Sequence, residues 1–171
     1  MRFRTLALVA LLLVTAAAGP GTAAANTTGQ SDCGFPYTAT DATGTEVTVD
    51  EAPETVDDMV AEMEEYYDPD NGKYGLGYPI NSYFVSAWLQ AFGGYFLDLD
   101  ADPQLGVAED ETVEGLEFLV DNFKPYMPKD FSYGPQATAF ADGNAAFAIN
   151  GPWYLSTLND KGVNYEVAKL P

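Results

Sequence analysis

The chain opens on an unbroken apolar run, Leu6 to Val14. No polar position interrupts it, so it shows neither a helical nor a strand period. Residues 26–54 are rich in Thr, Asp, Gly and Ala. Within them only Thr45 to Val49 alternates, which predicts a short half-buried strand ended by Pro53, and so a tail with one hairpin. From Thr55 the period changes. Val56, Met59, Val60 and Met63 stand at i, i+3, i+4 and i+7, the stripe of an amphipathic helix, with Thr55 as its cap and Asp57 and Asp58 at the positive end of its dipole.

Asp68-Pro69-Asp70-Asn71-Gly72 is a dense turn signal, and Tyr74 to Tyr78 reads as a strand. A second helix starts at Asn81 or Ser82, carries Phe84, Val85, Trp88, Leu89 and Phe92, and stops at Gly93-Gly94. Trp88, in the middle of that stripe, is expected in the core. An irregular acidic loop from Tyr95 to Gly106 follows. A third helix is expected from Glu109 to Lys124, with Val113, Leu116, Leu119, Val120 and Phe123 turned inward and Pro125 and Pro128 closing it. A short helix from Pro135 to Ala141, a strand from Ala145 to Ile149, a helix with Pro152 at its first position, a turn from Asn159 to Gly162 and a strand from Tyr165 to Leu170 complete the order. Strands alternating with helices predict an α/β fold, helices packed on a small mixed sheet.

The first apolar run follows Arg2 and Arg4 and precedes Ala23-Ala24-Ala25, an A-x-A cleavage site. It is shorter than the roughly 20 apolar residues that span a bilayer. The expectation is a signal peptide over residues 1–25, a flexible segment over 26–54 and a folded domain over 55–171, secreted or extracytoplasmic, with no transmembrane anchor. The arginines are not adjacent, so the signal is not of the twin-Arg type. Ser31-Asp32-Cys33-Gly34 is too polar an approach for a lipid-attachment box, and Asn26-Thr27-Thr28 is a glycosylation sequon.

Composition removes whole classes of chemistry. With no His and one Cys among 171 residues, His-based nucleophile triads, His metal sites and internal disulfides are excluded. The 26 acids against 7 basic residues give a net charge of −19, which argues against a nucleic-acid partner. Both arginines lie in the leader, so its removal leaves a still more acidic chain. Such a surface repels itself in dilute buffer, and salt near 1 M cuts the Debye length to about 3 Å. The sequence therefore predicts a protein that works in strong brine. A content of 47% hydrophobic and 13% aromatic residues argues against a disordered acidic chain.

Three constellations carry candidate chemistry. The first is aromatic residues at helix starts: Tyr83 and Phe84 after the Tyr78-Pro79-Ile80-Asn81 turn, and Trp153 and Tyr154 after Asn150-Gly151-Pro152. First-turn residues after a strand lie at the sheet edge, where α/β proteins form clefts. Sugars present apolar C–H faces to such rings, and Asn81 and Asn150 can bond their hydroxyls. The second is a cation site at Asp98, Asp100, Asp102 and Glu109, the EF-hand ligand spacing. Pro103 holds the position where the sharp turn needs Gly, so these residues read as a solvated acidic loop and no metal is assigned. The third is a carboxylate pair for glycoside hydrolysis. Acids are everywhere in the chain and Glu117 is expected to face solvent, so the chain is read as no enzyme and no cofactor is expected.

The run Phe140-Ala141-Asp142-Gly143-Asn144-Ala145-Ala146-Phe147-Ala148-Ile149-Asn150-Gly151-Pro152-Trp153 matches the pattern F-x-x-G-x-x-A-x-x-I-N-G-P-W, and Val163-Asn164-Tyr165 to Leu170-Pro171 continues it. On these residues, on Leu116 to Asp121 and on Tyr83-Phe84 nine residues before Gly93-Gly94, residues 55–171 resemble the sugar-binding proteins of ABC importers, the maltose-binding family. The resemblance implies a partial lobe of a two-lobed protein that closes on an oligosaccharide such as a maltodextrin, with Tyr83 and Trp153 stacking on it and a transporter permease as partner. Asn81, Phe84, Asn150 and Tyr154 are secondary candidates; Asn81 stands where the maltose binder has a carboxylate. Residues 31–54 resemble the start of cobalamin or iron-chelate binders, so the chain looks like a fused or truncated product. The alternative is a secreted, non-binding remnant or structural protein.

Overall fold

The computed structural model describes residues 11–15, 37–40 and 46–49 as backbone strands, and residues 52–171 apart from 164. The A-x-A site, the sequon and Cys33 lie outside the described residues. Strands β1 (Leu11–Thr15), β2 (Tyr37–Thr40) and β3 (Glu46–Val49) come first. β2 and β3 pair antiparallel, Tyr37 opposite Val49, which is the expected hairpin pairing. Then follow helix α1 (Val56–Tyr66), β4 (Tyr74–Gly77), α2 (Ser82–Ala91), α3 (Asp110–Asn122), α4 (Tyr133–Ala141), β5 (Ala145–Asn150), α5 (Tyr154–Lys161) and β6 (Tyr165–Lys169).

The main sheet runs in the order β4-β5-β1-β6. β4 and β5 are parallel, with Gly77 opposite Ala148. β1 is antiparallel to both of its neighbours, with Leu13 opposite Ala148 on one side and Val167 on the other. The apolar run read as the core of a signal peptide thus supplies a central strand, a placement the sequence did not predict. An uninterrupted apolar run suits that position, because a central strand is covered on both faces.

Helices α1, α2 and α3 cover one side of the sheet. Met59, Met63, Leu76, Trp88, Leu89, Leu119, Phe123, Phe147 and Ile149 form the larger core there. α4 and α5 give a smaller core of Phe140, Ala145, Ala148, Tyr154 and Leu158. The cap of α1 forms as read: Thr55 Oγ1 accepts from the Asp58 amide at 3.1 Å. No helix among the described residues is long and apolar enough to cross a membrane.

Three elements depart from expectation. In α3, Leu119 and Phe123 are buried, but Val113 and Val120 are exposed, and Thr112 and Gly115 are buried in their place. The cause is close approach to α2. A Cβ on Gly115 would stand 2.7 Å from the Trp88 carbonyl oxygen, so only glycine lets the helices meet on that side. Helix α4 starts at Tyr133, earlier than the expected Pro135, with Ser132 as its N-cap residue. Pro152 lies in a turn before α5, not at its first position; the Leu155 amide donates to the Pro152 carbonyl at 3.3 Å.

Candidate ligand-binding surface

Because β4 and β5 are parallel and in register at Gly77 and Ala148, their carboxyl ends emerge on the same edge of the sheet. Six residues after Gly77 comes Tyr83, and five after Ala148 comes Trp153. Topology alone therefore brings the two rings together, at the edge where open α/β sheets bind ligands.

Asn81 caps α2. Its Oδ1 accepts from the amides of Tyr83 at 3.0 Å and Phe84 at 3.2 Å, which fixes the backbone of the first turn from which both rings project. The side-chain oxygen is spent on this cap, and Nδ2 is the group left to meet a hydroxyl. Gln136, fully buried in α4, ties the neighbouring segments together. Its Oε1 accepts from the Tyr78 amide at 3.0 Å, and its Nε2 donates to the carbonyls of Pro128 at 3.0 Å and Asp130 at 2.7 Å. The Ile80 amide donates to the Phe131 carbonyl at 3.0 Å. The segments that lead into α2 and α4 are thus held to one another by the Gln136 side chain and by this backbone bond.

The result is an aromatic cluster. Tyr83 and Trp153 lie with ring centres 6.0 Å apart, inclined at 51°. Both are 49% exposed. Phe84 lies beneath them, buried, with its ring 5.4 Å from Tyr83 and 6.4 Å from Trp153. Tyr133 completes the group. Its ring is 6.2 Å from Phe84, it is exposed, and its hydroxyl oxygen accepts from Trp153 Nε1 at 3.1 Å. Trp153 itself folds back over Gly151; a Cβ at that position would run into the indole.

The secondary candidates divide. Phe84 is the floor of the cluster rather than an exposed face. Tyr154 does not join it: the ring is buried, its hydroxyl donates to the Ala137 carbonyl, and burial pushes its phenol well above the ordinary tyrosine range. Asn150 is buried too. Its Oδ1 accepts from the Gly151 amide at 2.8 Å, while its Nδ2 has no partner among the described residues.

Tyr133 and Gln136 were not singled out from the sequence. The signal for Tyr133 was present, since Ser132-Tyr133 also sets an aromatic in the first turn after a potential cap residue, although the Ser132 side chain makes no cap bond. Gln136 carries no such mark. Just before α4, the Asp130 carboxylate accepts from the Ser132 hydroxyl at 2.6 Å and from the Ser132 amide at 3.0 Å, and these two bonds hold it below the usual carboxylate range.

The acidic loop is built differently. Leu97 and Leu105 bridge antiparallel, Tyr95 Oη donates to the Pro103 carbonyl at 2.6 Å, and Asp98 Oδ1 accepts from the Asp100 amide at 2.9 Å. No group of three or more acids or Cys placed to hold a metal occurs among the described residues. A concavity of about 540 Å³ opens between α2 and this loop, lined by Ser86, Leu89, Gln90, Phe96 and Leu97 among others. Tyr83, Tyr133 and Trp153 are not in its wall. The aromatic cluster is instead an open face, suited to stacking and closed by nothing among the described residues.

Comparisons with known proteins place the chain in a family. Residues 8–171 match the family model of the bacterial extracellular solute-binding proteins. The maltotriose-binding protein of Pyrococcus abyssi is 46% identical over 123 residues, which are 72% of this chain and 27% of that protein. The galactooligosaccharide-binding protein of Bacillus subtilis is 26% identical over 125 residues, 64% of this chain and 30% of that one. The solved structure of the Thermus thermophilus maltotriose-binding protein, bound with maltotriose, superposes with a TM-score of 0.62 at 27% identity, over 72% of this chain and 34% of the other. The chain spans less than a third of the length of the two curated relatives. The family match, which runs over nearly the whole length of the chain, identifies it as a member of the bacterial extracellular solute-binding protein family.

Proposed function

We propose that the chain supplies one wall of a carbohydrate-binding cleft in the extracytoplasmic component of an ABC importer, with a maltooligosaccharide such as a maltodextrin as its ligand. The observation that carries this reading is the convergence of Tyr83 and Trp153, both half exposed, over a buried Phe84. A pyranose ring offers an apolar C–H face that such plates cover. Tyr133 holds the indole through its hydroxyl and so fixes the angle of the plate. That relatives from Pyrococcus and Thermus are maltotriose-binding proteins supports the choice of sugar. The role is binding, not catalysis, and a permease is the partner of the whole assembly. The leader-like start supports an extracytoplasmic site of action.

The magnitudes set the affinity. Each ring contributes about 0.5–1.5 kcal/mol beyond its area burial. Association costs at least about 4 kcal/mol, and a millimolar complex corresponds to about −4.1 kcal/mol. One open wall therefore binds at millimolar strength or weaker, and a second wall from elsewhere is needed for tight capture. The test is a maltotriose titration followed by tryptophan emission. Trp88, buried at 8% exposure, serves as the internal reference. A saturable change at millimolar sugar that Trp153→Ala abolishes supports the reading. A folded sample whose emission is silent to sugar favours the second reading, a secreted non-binding remnant.

A further inference from the structure

The sheet has a position whose occupant is the chain's own apolar N-terminal run. β6 meets the rest of the sheet through β1, its one strand neighbour in the order β4-β5-β1-β6. The β5 flank of that position lies in the core, with Phe147, Ala148 and Ile149 buried; on β6 Ala168 is buried and Tyr165, Glu166 and Val167 are half-buried. β5 and β6 both run antiparallel to β1, across Leu11 to Val14 on one side and Leu11 to Thr15 on the other. A guest strand there has its backbone groups paired on both sides, and a gap would leave buried peptide groups of β5 and half-buried ones of β6 without partners. The same run has the marks of an export leader, Arg2 and Arg4 before it and Ala23-Ala24-Ala25 after it.

We propose that the place between β5 and β6 is a strand-acceptor site. It takes one extended apolar strand of five residues, antiparallel to both neighbours; Leu11–Thr15 fills it in cis, and a chain without a competent β1 takes an equivalent strand in trans. This is β-strand addition at an interior position, where main-chain bonds give affinity and the apolar character of the guest gives selectivity. It joins processing to the ligand-binding face, because β5 leads through Asn150-Gly151-Pro152 directly into Trp153. Removing the leader opens the position until another strand enters. The inference rests on the sheet alone and stands whether or not the aromatic face binds sugar.

Hydrogen exchange on the full chain and on Leu13→Pro tests it, since proline cannot donate from within a central strand. In the full chain the amides of β6 that face β1 are protected. In the variant their protection falls by at least about tenfold while that of α2 is kept. A peptide carrying residues 8–17 between flanking lysines restores the protection and the original Trp153 emission, and the same peptide with Pro in place of Leu13 does not. Should the variant unfold throughout, refolding on addition of the first peptide supports the acceptor site and failure to refold overturns it. Unchanged β6 protection in the variant, or equal rescue by both peptides, also overturns it.

Discussion

Replacing Tyr78 by phenylalanine removes one oxygen and tests how the aromatic face is supported. Tyr78 is 1% exposed. Its hydroxyl donates to the Phe84 carbonyl and accepts from Trp88 Nε1 at 3.0 Å. The Phe84 carbonyl lies inside α2 and keeps its place in the helix ladder. The Trp88 N–H, buried among Phe118 and Phe123, has no such reserve. Leaving a buried donor unmade costs about 1–3 kcal/mol, and the lost hydroxyl bond adds about 1. The expected destabilisation is therefore about 2–4 kcal/mol, a fall in Tm on the order of 10 °C for a chain of this size. Thermal and urea unfolding followed by circular dichroism measure it, and adding Trp88→Phe to Tyr78→Phe recovers part of the loss, because no orphaned donor then remains. A Tyr78→Phe loss below about 0.5 kcal/mol, within the range of an ordinary surface change, would refute the reasoning. Phe84 packs edge-on against Tyr78 at 5.8 Å, so the substitution is also expected to weaken sugar binding.

Three further outcomes follow from the packing and the charge. Gly115→Val forces a branched side chain against the Trp88 and Leu89 backbone and is expected to part α2 from α3, costing about 1–3 kcal/mol in urea unfolding. The Glu62 carboxyl is raised above its ordinary value, first by burial and then by Asp58 and Glu65. A carboxyl raised in the fold binds more protons than in the unfolded chain, so its penalty appears as pH rises past the unfolded value and is absent in acid; Glu62→Gln is expected to raise Tm slightly at neutral pH and not at acid pH, with a gain of at most a few tenths of a kcal/mol because the side chain is exposed and solvent screens it. Among the described residues the ion pair found is an exposed one, Lys161 to Asp142 at 2.6 Å, so the surplus of carboxylates is otherwise unpaired; raising salt from dilute buffer to about 1 M is expected to raise Tm steadily, as scanning calorimetry would show.

Elements with a mark at their ends were the ones legible in the sequence. Thr55 announced its helix because a capping oxygen has to precede the first turn, and it caps as read; the second helix starts at Ser82, one of the two positions expected, and the capping role of Asn81 is the structure's addition. The neighbourhood of Tyr83 and Trp153 followed from two strand-to-helix turns that a parallel pair brings to one edge. Where two answers satisfied the same period, the pattern did not decide. The apolar positions of α3 admit a stripe through Val113 and Val120, but Gly115 wins because it alone lets the backbone of α2 approach. Tyr133 was hidden by starting its helix two residues late, at Pro135. Gln136 was hidden for a different reason: its three partners lie on separate segments, and nothing local marks an amide that will be buried among them. The strand role of Leu11–Thr15 was illegible because an unbroken apolar run has no period, and a leader and a central strand need the same residues.

The central claim is that the rings of Tyr83, Tyr133 and Trp153 are the surface a sugar meets. Mapping aromatic proton and carbon shifts during a maltotriose titration in strong salt tests it most directly. The account predicts shifts that grow together at millimolar sugar on those three rings, with Trp88 and Tyr154 unmoved. Shifts confined to the concavity beside Phe96 and Leu97, with the three rings still, would contradict it.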